Sequence, residues 1–221
     1  MTNYKIFYFN VLRTACTVLW GGDGRCAIAD PGCQDGEERK ALTDFIASEG
    51  LMPAAILLTH GHPDHICSAR WLQDLYGIPV FLHPKEQSFL PVFKQYGADI
   101  GMDLDISFQV TDAVEGQTIN IGKDLCFKVI ETPGHSAGGV CYYDQAGGIL
   151  VAGDTLFGGT IGRSDLHGGD YDVLIGSILE KIIPLPSDTL VIPGHGTTTT
   201  VGHEAASNPF LEPFNTPMED F

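Results

Sequence analysis

One design recurs four times along the chain: an apolar, strand-like run leads into a glycine-rich loop that carries histidine or aspartate. The segments are AAILLTHGHPDH (54–65), LCFKVIETPGHSAGG (125–139), GGILVAGDTLFGG (147–159) and TLVIPGHGTT (189–198). Loops at the carboxyl ends of neighbouring strands can meet at one edge of a sheet, so we expect their polar side chains to converge. The expected set comprises His60, His62, Asp64, His65, His135, Asp154 and His195.

These side chains are suitable metal ligands. Seven donors exceed what one tetrahedral ion needs, and they suit two divalent ions that share a carboxylate. Imidazole and carboxylate without thiolate favour zinc, with iron or manganese as alternatives. His60 and His62 lie two apart in extended chain and point the same way, whereas Pro63 starts a helix that turns Asp64 and His65 towards a second ion.

Each cluster also has a simpler interpretation. A single histidine in a PGH loop is more often a hydrogen-bonded surface residue, and Asp154 alone would usually be a turn or capping residue. Four coincident clusters make the simpler interpretation improbable for all of them together. His83, His167 and His203 lack this context, and we predict structural or exposed positions for them, with the pocket rim as an alternative for His167.

Strand-like and helix-like segments alternate along the chain and predict an α/β fold. Predicted helices cover 35–49, 63–77, 84–96, 171–183 and 201–207. Predicted strands cover 5–12, 15–20, 26–30, 54–58, 79–83, 107–110, 117–121, 125–131, 139–144, 148–153 and 189–194. We expect two sheets packed face to face with helices outside, in one domain (1–221) of two similar halves, about 1–107 and 108–221.

Charge and hydropathy exclude several classes of protein. The net charge is −16, with 28 acidic and 12 basic residues and no basic stripe, so we expect no nucleic-acid partner. No apolar run approaches a membrane span, and the N-terminus lacks a signal-peptide pattern, so we expect a cytoplasmic protein without membrane contact. Six cysteines without CxxC pairs indicate reduced, mostly buried thiols. The oligomeric state stays open.

The motifs resemble those of the metallo-β-lactamase superfamily over essentially the whole chain. THGHPDH matches the HxHxDH motif, with Gly61 and Pro63 as variable spacers, and PGHSAGG, AGDTLF and PGHG match the later metal motifs in order. The resemblance implies an αββα sandwich of two mixed β-sheets flanked by helices. It also implies a ligand set, with His60, His62 and His135 on one metal, Asp64, His65 and His195 on the other, and Asp154 bridging.

Residues 152–196 look like the glyoxalase II group, particularly its short bacterial members. This resemblance implies a binuclear hydrolase that cleaves a small-molecule thioester, such as S-D-lactoylglutathione, with a metal-bridging hydroxide. Asp64 would also orient the nucleophile, and Arg163 would contact the substrate, with pairing to Asp165 or Asp170 as an equal alternative. Longer glyoxalase II enzymes grip glutathione with a basic C-terminal region, whereas residues 203–221 contain no Lys or Arg, so the thiol stays open.

Other activities on this fold are alternatives. A persulfide dioxygenase would use one iron with two histidines and one aspartate, and His60, His135 and Asp154 could supply them. A lactonase or an exported β-lactamase is less favoured, and nucleases of the superfamily usually add basic or extra domains. A purely structural metal module would need a closed site, whereas two ions held by seven ligands keep coordination positions open.

Overall fold

Two antiparallel strands open the chain and begin the first of two large sheets. The computed structural model describes residues 2–212. The first sheet has the strand order β1-β2-β3-β4-β5-β6, with β1 to β3 antiparallel and β3 to β6 parallel. Its strands are β1 (Asn3–Phe9), β2 (Thr14–Trp20), β3 (Arg25–Ala29), β4 (Met52–Leu57), β5 (Val80–Leu82) and β6 (Val110–Asp112).

The second sheet is built from the later part of the chain in the order β14-β13-β10-β9-β8-β7, and only its β10–β13 pair is parallel. Its strands are β7 (Thr118–Asn120), β8 (Cys126–Glu131), β9 (Val140–Asp144), β10 (Ile149–Gly153), β13 (Leu190–Pro193) and β14 (Thr199–Thr200). A small hairpin of β11 (Leu156–Phe157) and β12 (Thr160–Ile161) follows β10.

Most helices begin where local chemistry satisfies their first N–H groups. The side chain of Asp35 accepts hydrogen bonds from two N–H groups at the start of the first helix, and Pro63 and Pro84 occupy first helical positions. The helices are α1 (Gly36–Ser48), α2 (Pro63–Ile66), α3 (Ala69–Tyr76), α4 (Pro84–Asp99), α5 (Tyr171–Ser177), which continues as a π-helical turn (Ile178–Ile182), and α6 (Val201–Ser207).

The buried side chains form three layers of contacts. One cluster lies between the two sheets and includes Leu57 of β4 and Phe127 of β8. A second cluster packs α1, α3 and α4 on the outer face of the first sheet, through residues such as Leu42. A third packs α5 and α6 on the second sheet, through residues such as Leu174 and Val201. This arrangement confirms the predicted αββα sandwich.

The structure differs from the predicted elements in several places, and the short strands β11, β12 and β14 have no predicted counterpart. The predicted helix 63–77 is interrupted because Ser68 leaves the helical path, its N–H donating to Pro31 and its hydroxyl to Cys33. The predicted strand 107–110 overlaps the observed strand β6 only at Val110, and β6 pairs with the first sheet. The first strand ends at Phe9 because the chain turns between β1 and β2.

The pairing of β6 places the division between the sheets after Asp112, a few residues beyond the division at 107/108 expected from the sequence. Met1 and residues 213–221, which hold much of the tail without Lys or Arg, lie outside the described residues. Between residues 2 and 212, no helix is both long enough and apolar enough to cross a membrane.

Candidate metal centre

The structure brings all seven predicted side chains together at one edge of the sandwich. They form three overlapping groups, and in each group the donor atoms lie within 4.8 Å of one another. The groups are His60 with His62 and His135, His60 with His65 and Asp154, and Asp64 with His65 and His195. The convergence expected from the four strand-to-loop segments is therefore present.

Each segment places its side chains by ending a buried strand at this edge. Asp154 directly follows β10, and the PGHG loop directly follows β13, the parallel neighbour of β10. These two loops approach so closely that a Cβ atom on Gly194 would lie 2.1 Å from Asp154 Oδ1 and 2.7 Å from His65 Cε1. Only glycine at position 194 allows this approach.

The first group consists of three imidazoles oriented by hydrogen bonds. His135 donates through Nδ1 to the backbone oxygen of Arg163 at 2.6 Å, so its Nε2 carries the lone pair. That Nε2 atom lies 3.0 Å from His62 Nδ1. The Nδ1 atom of His60 lies 3.0 Å from Thr59 Oγ1, which leaves His60 Nε2 facing the other rings.

The group of Asp64, His65 and His195 combines two imidazoles with a carboxylate. His195 donates through Nδ1 to the backbone oxygen of Leu12 at 3.1 Å, and His65 donates through Nδ1 to Asp30 Oδ2 at 3.0 Å. The Nε2 atom of each ring is therefore the one that faces the site, and each lies 3.4 Å from Asp64 Oδ2. Once these Nε2 atoms are deprotonated, the two imidazoles and the carboxylate form a ligand set for a divalent cation.

Asp154 lies between the two groups. Its Oδ1 is 3.5 Å from His65 Nε2, and its Oδ2 is 3.5 Å from His135 Nε2 and 3.6 Å from His195 Nε2. One carboxylate thus faces histidines of both groups, as a ligand shared by two ions requires.

Four buried side-chain atoms of the candidate ligands have no hydrogen-bond partner: His62 Nε2 and, within one ligand group, His60 Nε2, His65 Nε2 and Asp154 Oδ1. A buried polar atom left without a partner costs about 1–3 kcal/mol, and several at one point are unusual. Divalent cations coordinated by these atoms would satisfy them, so the His/Asp cluster suits a binuclear metal site.

The two groups differ in charge. Burial, together with the neighbouring imidazoles, holds the pKa of His60 and of His62 well below its usual value. Both rings are therefore neutral and can offer a lone pair to a metal ion. Burial alone would lower the pKa of His65, but Asp64, Asp154 and Asp30 outweigh it and raise the pKa to about 10. Burial would raise the pKa of Asp64, yet His65 and the hydrogen bonds from His195 and Thr14 lower it. A cation bound there would replace the proton on His65.

Two residues behind the centre escaped the sequence prediction. Asp30 accepts hydrogen bonds from Thr59 N at 2.8 Å, from Thr59 Oγ1 at 2.7 Å and from His65 Nδ1. The signal was present, because CAIADPG is a further strand that ends in an aspartate and a turn. Thr14 donates from Oγ1 to Asp64 Oδ2 at 2.5 Å, and no local pattern marks it.

Arg163 lies beside the centre, in a surface ion pair and at the wall of a cleft. Its guanidinium pairs with Asp165 through two hydrogen bonds of 2.7 and 2.8 Å, whereas Asp170 caps α5. The same side chain also lines a cleft of about 420 Å³ that includes His62 and Asp64, so its contact with substrate stays a prediction. The other lining residues are Leu12, Pro63, Tyr96, Asp99, Ile100 and Leu166.

The remaining histidines lie where the sequence predicts. His83 is buried, caps α4 and contacts Glu131 Oε1 through Nε2 at 3.0 Å. His167 and His203 are exposed. None of these three belongs to a ligand group among the described residues.

Sequence comparisons place these features in a known context. A family model described as the metallo-beta-lactamase superfamily matches residues 10–195. The probable metallo-hydrolase YqgX of Bacillus subtilis (strain 168) is 40% identical over 195 residues, which cover 87% of this chain and 90% of that protein. The hydroxyacylglutathione hydrolase GloC of Haemophilus influenzae is 32% identical over 213 residues, covering 95% and 98% of the two chains.

Solved structures agree with the sequence comparisons. The crystal structure of BLEG-1, a B3 metallo-beta-lactamase, is 39% identical with a TM-score of 0.86, and the match covers 95% of this chain and 99% of that one. The crystal structure of TTHA1623 in a di-iron-bound form is 35% identical with a TM-score of 0.83, and the match covers 94% and 100%.

Proposed function

The chain belongs to the metallo-beta-lactamase superfamily, and we propose that it is a binuclear metal-dependent hydrolase acting on a thioester such as S-D-lactoylglutathione. One observation carries the hydrolase proposal: three buried donor atoms without hydrogen-bond partners, His60 Nε2, His65 Nε2 and Asp154 Oδ1, converge at one point. The similarity to GloC over nearly its whole length supports a thioester as the substrate class.

Two of the three groups correspond to the proposed ligand sets, and the third, His60 with His65 and Asp154, links them. His60, His62 and His135 would hold one ion, Asp64, His65 and His195 the other, and Asp154 would contact both. When bound, two divalent ions lower the pKa of a coordinated water towards about 7 and polarise a carbonyl oxygen. Zinc is our first candidate because the donors are imidazole and carboxylate, and the di-iron form of TTHA1623 supports iron as an alternative.

The chain's own residues supply orientation and charge. Asp64 accepts a hydrogen bond from Thr14, which fixes its Oδ2 beside the Nε2 atoms of His65 and His195. In this position the Asp64 carboxylate can also accept a hydrogen bond from an attacking water and orient it. The Nδ1–H groups of three rings are held by oxygen acceptors. That of His65 donates to Asp30, that of His195 to the backbone oxygen of Leu12, and that of His135 to the backbone oxygen of Arg163.

The cleft beside His62 and Asp64 would bind the substrate. Its walls are largely apolar, and Arg163 is the cation among the described residues that line it. The guanidinium can contact a carboxylate or the carbonyl of a thioester, although it already pairs with Asp165. A thiolate leaves without being protonated, so this reaction does not require a strong general acid.

The likeness to BLEG-1 favours a second candidate, hydrolysis of β-lactams. The two reactions place different demands on the leaving group, because an amide nitrogen must take up a proton, whereas a thiolate need not. Persulfide oxidation on a single iron is a third possibility on this fold. It would use only His60, His135 and Asp154, whereas the structure assembles all seven donors.

Three parallel assays of the purified, metal-loaded protein test the proposal. We expect release of free thiol from S-D-lactoylglutathione, loss of that activity with a chelator and recovery on addition of zinc. A β-lactam such as nitrocefin tests the second candidate, and oxygen consumption with glutathione persulfide tests the third. Hydrolysis of the β-lactam alone, or oxygen consumption alone, would contradict the thioester proposal.

A further inference from the structure

Glu86 is a fully buried carboxylate that has no role in the chemistry described above. It lies in the first turn of α4, outside the four loops that carry the seven candidate ligands. Its Oε2 accepts a hydrogen bond from the backbone N–H of Gly61 at 2.8 Å, and its Oε1 accepts one from Gly138 at 2.7 Å. Both oxygens of one side chain are therefore engaged with main chain.

The two amides belong to different ligand loops. Gly61 lies between His60 and His62, and Gly138 lies three residues after His135 in the PGHSAGG segment. A single carboxylate thus ties together the two loops that supply the first group of imidazoles. Hydrogen bonds to an ionised oxygen are stronger than neutral ones, and water cannot compete for them where the group is fully buried.

Close packing leaves this link little freedom to shift. A Cβ atom on Gly61 would lie 2.8 Å from the ring of Phe93 and 3.2 Å from Glu86 Oε2, and one on Gly138 would lie 3.1 Å from Glu86 Cγ. Phe93 is itself fully buried on α4. Helix α4 therefore presses its side chains directly onto both loops, and a change in the position of Glu86 is transmitted to the histidines.

We propose that Glu86 is a positioning residue for the metal centre. By holding the amides of Gly61 and Gly138, it sets the spacing that lets His60, His62 and His135 meet on one cation. The inference rests on the proposed metal centre, but it adds a residue that no ligand motif contains. The role is exerted through the loops, since Glu86 contacts main chain rather than the cation.

Glu86→Gln tests the role with little change in shape. The amide keeps one acceptor oxygen, but its NH₂ group would face the backbone N–H of Gly61 or of Gly138. One of the two loops therefore loses its hydrogen bond to residue 86. Substituting a residue that positions metal ligands typically lowers metal affinity by about 10- to 100-fold. We expect a loss of that size at the site formed by His60, His62 and His135. Competition for zinc with a chromophoric chelator measures the loss, and the visible absorption of the Co²⁺-loaded protein reports altered geometry.

Glu204→Gln is the matched control. Glu204 is also fully buried and accepts a hydrogen bond from a glycine amide, Gly159 N at 2.8 Å, and from the side chains of Thr199 and Asn208. We expect both variants to lose thermal stability, and only Glu86→Gln to lose zinc affinity and change the Co²⁺ spectrum. Equal loss of affinity in Glu204→Gln would overturn the proposal.

Two further outcomes separate this inference from the proposed function. Wild-type protein that binds two ions, together with a Glu86→Gln variant of unchanged affinity and spectrum, would overturn the role of Glu86 alone. Wild-type protein that takes up no metal would contradict both. If Glu86→Gln does not fold, Glu86→Asp keeps the charge but is one methylene shorter, and wild-type affinity in that variant would also overturn the proposal.

Discussion

His65 Nδ1 donates a hydrogen bond of 3.0 Å to Asp30 Oδ2, and both side chains are almost completely buried. The contact holds one ring proton on Nδ1 and turns Nε2, which has no hydrogen-bond partner in the described structure, towards Asp64 and Asp154. The proposed second metal site would therefore depend on a residue that is not itself a candidate ligand.

Asp30→Asn should weaken this second site. Asn has one acceptor oxygen for the three donors that Asp30 now satisfies, namely two from Thr59 and one from His65. We expect zinc affinity at the second site to fall by about 10- to 100-fold. The free energy of unfolding should fall by about 1–3 kcal/mol. Chelator competition and chemical denaturation measure the two effects.

Asp144→Asn controls for the loss of a buried aspartate. Asp144 is fully buried and accepts from Gly147 N at 3.1 Å, away from the candidate ligands. This variant should lose stability and keep its affinity for zinc. Unchanged zinc affinity in Asp30→Asn would show that the His65 contact is not needed.

Asp64→Ala should remove both a ligand and the group that orients the nucleophile. We expect hydrolysis to fall by about 10²-fold or more, with the fold intact by circular dichroism. The bound metal should also fall below two ions per chain. Full activity in this variant would eliminate the proposed role of Asp64.

Thr14→Val should reproduce part of that loss without removing a ligand. A hydrogen bond to a charged group contributes about 1.5–3 kcal/mol, which corresponds to roughly a tenfold or larger decrease in kcat/KM if it acts in the transition state. Thr17→Val is the control, because Thr17 lies buried on the same strand and its hydroxyl has no hydrogen-bond partner. Equal kinetics for the two variants would argue against the Thr14–Asp64 contact.

Arg163→Ala should raise KM for an anionic thioester while leaving the free energy of unfolding nearly unchanged. The side chain is 61% exposed, and its pair with Asp165 contributes at most about 1 kcal/mol at the surface. Asp165→Asn removes the same ion pair and leaves the guanidinium free, so it should not raise KM. If KM rises equally in both variants, Arg163 acts through the ion pair instead of contacting substrate.

Gly61→Ala should destabilise the protein, although the motif treats this spacer as variable. The added Cβ would lie 2.8 Å from the buried Phe93 ring, and overpacking of this kind costs about 1–3 kcal/mol. Phe93→Leu combined with Gly61→Ala should recover part of the loss, whereas Gly36→Ala, where nothing lies within 4 Å, should be near neutral. Additive effects of Gly61→Ala and Phe93→Leu would contradict the contact.

The ligand-bearing loops could be predicted because strand ends, glycines and histidines coincide within short segments. Asp30 follows a similar pattern, because it ends a fifth strand that leads into a polar loop, but this loop contains no histidine to mark it as a ligand loop. Glu86 could not be found this way. In the sequence it is an ordinary acidic residue in the first turn of a predicted helix. Its contacts with Gly61 and Gly138 arise only from the way α4 packs against the two loops.

The departures in secondary structure have similar causes. The break after α2 arises from hydrogen bonds of Ser68 to Pro31 and Cys33, which lie more than thirty residues earlier in the chain. The short strand β6 is defined by its pairing with β5, and the apolar pattern around 107–110 is too brief to locate it. Local patterns do not contain such long-range contacts.

The most direct measurement is a zinc titration of metal-free protein in which bound metal per chain and hydrolysis of S-D-lactoylglutathione are followed together. The proposed centre predicts two ions per chain at saturation, with hydrolysis appearing as the centre fills. A protein that saturates with a single iron per chain, hydrolyses no thioester and consumes oxygen with glutathione persulfide would contradict it.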